Sequence, residues 1–185
     1  MNIKLSSGSS QALLTLWLLV QVAFTFGLDL ASSSWIWTTE FTGSQPTAIY
    51  ADILITADNF YVLYVNGAVI GQRTSSNDWQ QAGRFCVGLS PTTNVVAVNG
   101  TNEAVGRAGV LAAIQVTYSD GTTTTSISDV SWKATSSLPS GFQATTFNDA
   151  SWSVAVISGG YAVWPYAPIT TPAGPAAACA GCIAV

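Results

Sequence analysis

Large apolar residues alternate with polar or smaller ones in many short runs along this chain, and turn-forming residues separate the runs. In Thr56 to Gly67 (TADNFYVLYVNG), a polar Asp58-Asn59 pair leads into Tyr61, Leu63 and Val65 on one side and Phe60, Val62 and Tyr64 on the other. With both registers apolar, the pattern predicts a strand covered on both faces. Asn66-Gly67 then predicts a tight hairpin. The cleanest alternation is Val110 to Tyr118, with Val110, Ala112, Ile114, Val116 and Tyr118 facing one way and Leu111, Ala113, Gln115 and Thr117 the other. Asp120-Gly121 closes a second hairpin into the threonine-rich run Thr122 to Thr125, which suits a strand.

Further strands are predicted at Ser34 to Phe41, Ala48 to Thr56, Ala68 to Ile70, Arg84 to Leu89, Asn94 to Val98, Ser131 to Ala134 and Ser153 to Ile157, with Gly71 to Gly83 as a polar loop. No segment after Gly27 sustains a helical period. The fold class is all-β: an antiparallel β-sandwich, with the two hairpin turns as its tips.

The 185 residues, 49% of them hydrophobic, suffice for one substantial core and one domain. Five Lys plus Arg against nine Asp plus Glu give a net charge of −4, which argues against a nucleic-acid partner. The absence of histidine excludes Ser-His-Asp and Cys-His catalysis and histidine-ligated zinc or haem.

Residues 1–27 read as a secretory signal peptide: Lys4 at the start, an apolar run from Ala12 to Phe26, and a small Gly27 at the cleavage point. Gln21 and Thr25 interrupt the run, which favours cleavage over a retained membrane anchor. The mature chain is then expected outside the cell and free of the membrane. The domain spans 34–166. After it, 169–185 is rich in Pro, Ala and Gly and reads as a flexible tail.

Three cysteines leave one unpaired. The C-x-x-C spacing favours a local Cys179–Cys182 disulfide with Cys86 buried in a strand, and partner exchange stays open. Asn99-Gly100-Thr101 is an N-glycosylation sequon at the end of a strand, and a chance match to a turn is the other reading.

TADNFYVLYVNG, NVVAVNGTN, AGVLAAIQVTYSDG, SDVSWKAT and FNDASWSVA, in this order and preceded by the WIW of Trp35 to Trp37, resemble the galactose-binding-like jelly-roll domain of bacterial α-L-rhamnosidases and its stand-alone secreted fungal relatives. The resemblance covers Ser34 to Trp164. It implies a jelly roll and a non-catalytic, lectin-like carbohydrate-binding module for rhamnose- or galactose-type sugars, with a glycan or a plant or fungal cell-wall polysaccharide as partner. In rhamnose-binding members the Asp-Asn pair at this place takes part in binding calcium and sugar, which assigns those roles to Asp58 and Asn59. Ca²⁺ takes six to eight oxygens, so carbonyls of Asn99 to Gly109, with Glu103 as a possible second charge, are expected to complete the set. The chain departs from related sequences at Arg107-Ala108-Gly109, where Pro-Ala-Gly is frequent.

Each assignment has a plainer counterpart. Asp58-Asn59 also suits a turn cap. Trp79, isolated in a polar loop, is expected to stack on a sugar, and a tryptophan there also suits a plug at the end of the sandwich. Trp35, Trp37, Trp132 and Trp152 are expected in the core. Glycoside hydrolysis needs two facing carboxylates, with Glu40, Asp58, Asp78 and Glu103 as candidates. A surface or matrix protein without a sugar site, and an accessory domain of a glycoside hydrolase, are the competing functions.

Overall fold

The computed structural model describes residues 21–23, 33–42, 46–75, 79–103, 105, 108–160, 168–172 and 182–185. Among them form twelve strands and no helix: β1 Gln21–Ala23, β2 Ser33–Thr42, β3 Ala48–Asp58, β4 Phe60–Val65, β5 Ala68–Arg73, β6 Gly83–Gly88, β7 Thr93–Asn102, β8 Gly109–Tyr118, β9 Thr123–Ile127, β10 Lys133–Thr135, β11 Ser153–Val154 and β12 Ile157–Gly160. One sheet runs β12-β1-β8-β3-β6 with β9 also on β8, and the other runs β11-β10-β2-β7-β4-β5. The long pairings β3 with β8 and β2 with β7 are antiparallel over their whole length. The expected antiparallel β-sandwich is what the chain forms.

Period two decides the core. Ile53 and Ile55 of β3, Leu63 and Val65 of β4, Val96 and Val98 of β7, and Ile114 and Val116 of β8 meet between the sheets, with Trp132 fully buried among them. The opposite registers are covered too. Leu54, Leu111 and Ala113 pack with Ala82 and Ile169 outside the first sheet, and Ile36, Val95 and Ala97 pack with Phe142 outside the second. That outer cover explains the doubly apolar pattern of β4, since Tyr64 meets Phe142 edge-on at 5.3 Å. Trp152 lies with Phe147 in the same outer layer.

Asn66 and Gly67 turn the β4–β5 hairpin with φ of 51° and 89°. Both lie in the left-handed region that asparagine tolerates and glycine favours. The Asn66 side chain then anchors the tip: its Oδ1 accepts from the Val95 N–H and its Nδ2 donates to Asn94 Oδ1, each at 2.9 Å. At the Asp120-Gly121 turn, Asp120 Oδ1 accepts from the Thr122 N–H at 2.9 Å.

The structure bears on four of the sequence expectations. The described ends of the 169–185 segment are docked: Thr170 bridges Gln81 and Ile183 bridges Val87, both parallel, while Ile169 is buried. These contacts cover the outer edge of β6 and satisfy backbone groups that an open edge would leave unpaired. Cys182 is bonded to Cys86, not to Cys179, across 96 residues of sequence. The docking accounts for this, because the Ile183 N–H donates to Cys86 O and brings the two thiols side by side. Cys179 lies outside the described residues.

Gln21–Ala23, inside the expected signal peptide, forms β1 between β12 and β8, whereas 1–20 and 24–27 are outside the described residues. Asn99 sits within β7, not at a strand end, paired with Ile36 and Val62. Its Oδ1 is buried and has no hydrogen-bond partner.

Candidate functional site

Three connections pass between the sheets at one end of the sandwich. Asp58 lies opposite Gly109, Phe60 opposite Thr101 and Tyr61 opposite Arg73, so the 58–60 crossover meets the end of β5, the end of β7 and the start of β8 there. Rigid strand ends with converging loops are where binding groups concentrate. Glu40 pairs with Val95 toward the opposite end, beside the β4–β5 hairpin, which separates it from Asp58 and Glu103.

Asp58 ends β3, and a cis peptide joins it to Asn59. Its carboxyl is partly buried, and burial pushes its pKa above the usual 3.8. Among the described residues no charge or hydrogen bond offsets that desolvation, so none of them gives the ionised form a positive partner. Asn59 holds the neighbouring loop. Its N–H donates to Thr101 O at 3.1 Å and its Oδ1 accepts from the Glu103 N–H at 2.8 Å. Glu103 is thus brought beside the pair by its backbone, while its side chain is exposed. Ala108 is buried and Gly109 pairs with Asp58, whereas Arg107 and Asp78 are outside the described residues.

Calcium fits this set in part. Asp58 offers a carboxylate with no positive partner among the described residues, Asn59 Oδ1 keeps a second lone pair, and Thr101 O lies beside the pair, 3.1 Å from Asn59 N. Among the described residues no group of three or more His, Cys, Asp or Glu gathers for a metal. Most ligands would therefore be neutral oxygens.

Of the two roles expected for Trp79, stacking on a sugar or plugging the end of the sandwich, its packing suits the second. It is half-buried and packs against the outer cluster of Leu54, Leu111 and Ile169, and its carbonyl accepts from Thr56 Oγ1 at 2.5 Å. Its side chain supports the fold of this end.

The sequence reading missed an open cleft of about 350 Å³ between the edges of the two sheets, where β5 ends and β6 begins. Gln72, Arg73, Thr74 and Gln81 rim it, and Tyr61 and Phe85 lie beneath. Arg73 Nη1 donates to Thr56 Oγ1 at 2.6 Å, and its guanidinium carbon lies 5.4 Å from the centre of the Tyr61 ring. Burial raises the Tyr61 pKa, and the Arg73 charge lowers it. The available signal was Gly71 and Gly83 bracketing a polar stretch. A Cβ on Gly71 would come within 2.2 Å of the Phe85 ring, and one on Gly83 within 2.4 Å of Tyr61 Oη. The glycines leave room for both rings.

No family model matches the chain. A lectin from Pleurotus ostreatus, solved in complex with GalNAc, superposes with a TM-score of 0.78 at 34% identity, covering 85% of this chain and 47% of the lectin. An alpha-L-rhamnosidase from Streptomyces avermitilis is 28% identical over 182 residues, 85% of this chain and 18% of that protein. Its structure, solved with L-rhamnose, superposes with a TM-score of 0.71. The chain therefore spans about half of the lectin and under a fifth of the rhamnosidase. The resemblance read from the sequence holds in the structure: the chain is similar to these proteins and has the fold of a rhamnosidase-related, galactose-binding-like module.

Proposed function

We propose that this chain is a secreted, non-catalytic glycan-binding module whose Asp58 end holds Ca²⁺ and, with it, a sugar of the rhamnose or galactose type. The observation that carries the reading is the partly buried Asp58 carboxylate, without a compensating partner among the described residues, set where the ends of β3, β4, β7 and β8 meet. Asp58 supplies the charged ligand and Asn59 a neutral one, while Asn59 also fixes the Glu103 loop against the crossover. Bound calcium supplies open coordination positions for a pair of sugar hydroxyls.

The match to a GalNAc-bound lectin supports sugar binding without catalysis, and the placement of Glu40 away from Asp58 removes one carboxylate pairing. Secretion is supported by the Cys86–Cys182 disulfide, which suits an oxidising compartment, and by the apolar run Ala12 to Val20 that precedes β1 in sequence. A glycan or a plant or fungal cell-wall polysaccharide is the partner this reading favours. A glycan array probed with and without chelator tests it: calcium-dependent signal on rhamnose- or galactose-type ligands is expected. No signal on any glycan, in calcium, would return the chain to the matrix-protein reading.

A further inference from the structure

We infer that the cleft between β5 and β6 is a second saccharide subsite, so that the ligand is an oligosaccharide of at least two units and not a lone monosaccharide. The inference rests on the glycan-binding reading of the Asp58 end and adds the site that receives the next unit.

Size comes first. The cleft, about 350 Å³, lies at the lower end of the range for small-molecule sites, about 300–1,000 Å³. That is room for one pyranose ring and its water.

The lining suits such a ring. Gln72, Thr74 and Gln81 are exposed at the rim and offer amide and hydroxyl groups that both donate and accept, as sugar hydroxyls require. Beneath them the half-buried Phe85 ring presents an aromatic surface of the kind that packs on the apolar face of a sugar. Gly83, two residues before it on β6, and Gly71, across on β5, leave the space that ring occupies. Either Cβ would collide with it. The floor is thus built by the sequence of both edge strands.

Position links the cleft to the first site. Arg73, on its wall, reaches Thr56 Oγ1 at 2.6 Å. Thr56 is buried and stands two residues, about 6.6 Å of strand, before Asp58, so Arg73 ties the wall of the cleft to the strand that carries the first site. The proposed glycan has its terminal unit at Asp58 and extends its second unit toward the cleft.

The test compares monosaccharides with disaccharides carrying the same terminal unit: L-rhamnose with rutinose, and N-acetylgalactosamine with a disaccharide ending in it. Titration calorimetry in calcium reads the affinity ratio of disaccharide to monosaccharide in the native protein, in Thr74→Trp, which fills the mouth, and in Gln72→Ala. For at least one pair, a ratio of tenfold or more is expected natively, falling toward one in Thr74→Trp and part of the way in Gln72→Ala. A ratio near one for both pairs in the native protein, or a high ratio that survives Thr74→Trp, overturns the subsite. Monosaccharide binding that depends on Asp58 without a disaccharide gain would refute the subsite and leave the first site standing. No binding of any of the four sugars refutes both.

Discussion

Asn59 and Glu103 stand 44 residues apart in sequence and are joined by a hydrogen bond, the Glu103 N–H donating to Asn59 Oδ1 at 2.8 Å. That bond ties the crossover between the sheets to the loop that follows β7. Asn59→Ala removes the acceptor, so a loss of about 1 kcal/mol in urea unfolding is expected. Asn59→Asp retains an acceptor and is expected to recover most of the loss. Equal losses in both variants would show that the bond does not hold the loop.

Asp58 makes the calcium-free protein pH-sensitive. Its folded pKa is raised by burial above the usual 3.8, so the folded state binds its proton more readily than the unfolded chain does. The carboxyl therefore subtracts stability as pH climbs from the ordinary value through the raised one, and the penalty is complete at neutral pH. Asp58→Asn should raise the Tm of the calcium-free protein at neutral pH and leave it nearly unchanged well below 3.8. A Tm that falls at neutral pH would contradict an uncompensated carboxylate.

Trp79→Ala tests which role that side chain has. Packing against Leu54, Leu111 and Ile169 predicts a stability loss of about 2 kcal/mol, less than for a fully buried tryptophan. An unchanged midpoint in urea, with weaker sugar binding, would place the ring on the ligand surface instead.

Peptide mapping under non-reducing conditions should recover Cys86 linked to Cys182. Cys182→Ala should lower stability by about 2–4 kcal/mol, as expected for a cross-link closing so long a loop. A Cys179–Cys182 peptide would contradict the docking of the chain end on β6.

Much of the fold was legible in the residues because alternation reports burial directly. Val110 to Tyr118 and Phe60 to Val65 were placed by pattern, and Asn66-Gly67 by the φ values that few other residues adopt without strain. The chain end was not legible, because Pro, Ala and Gly carry no periodicity and its contacts are made by the backbone, by Ile169 and by the bond of Cys182 to Cys86. For the site, the sequence marked Asp58 and Asn59 as a polar pair before a buried strand. The cleft was hidden, since Tyr61, Arg73 and Phe85 come from three strands and meet only once the sheets are stacked. The packing of Trp79 was hidden for a related reason: the surface it covers, Leu54 and Leu111, lies on the outer face of strands far from it in sequence.

The most direct measurement is titration of the native protein and of Asp58→Asn with Ca²⁺ alone and then with L-rhamnose and N-acetylgalactosamine, in matched buffers with and without chelator. Calcium uptake by the native protein, followed by binding of at least one sugar that chelator and Asp58→Asn each abolish, is the predicted result. Sugar binding that persists in chelator and in Asp58→Asn, or no calcium uptake by the native protein, would contradict a calcium-held glycan at this end of the sandwich.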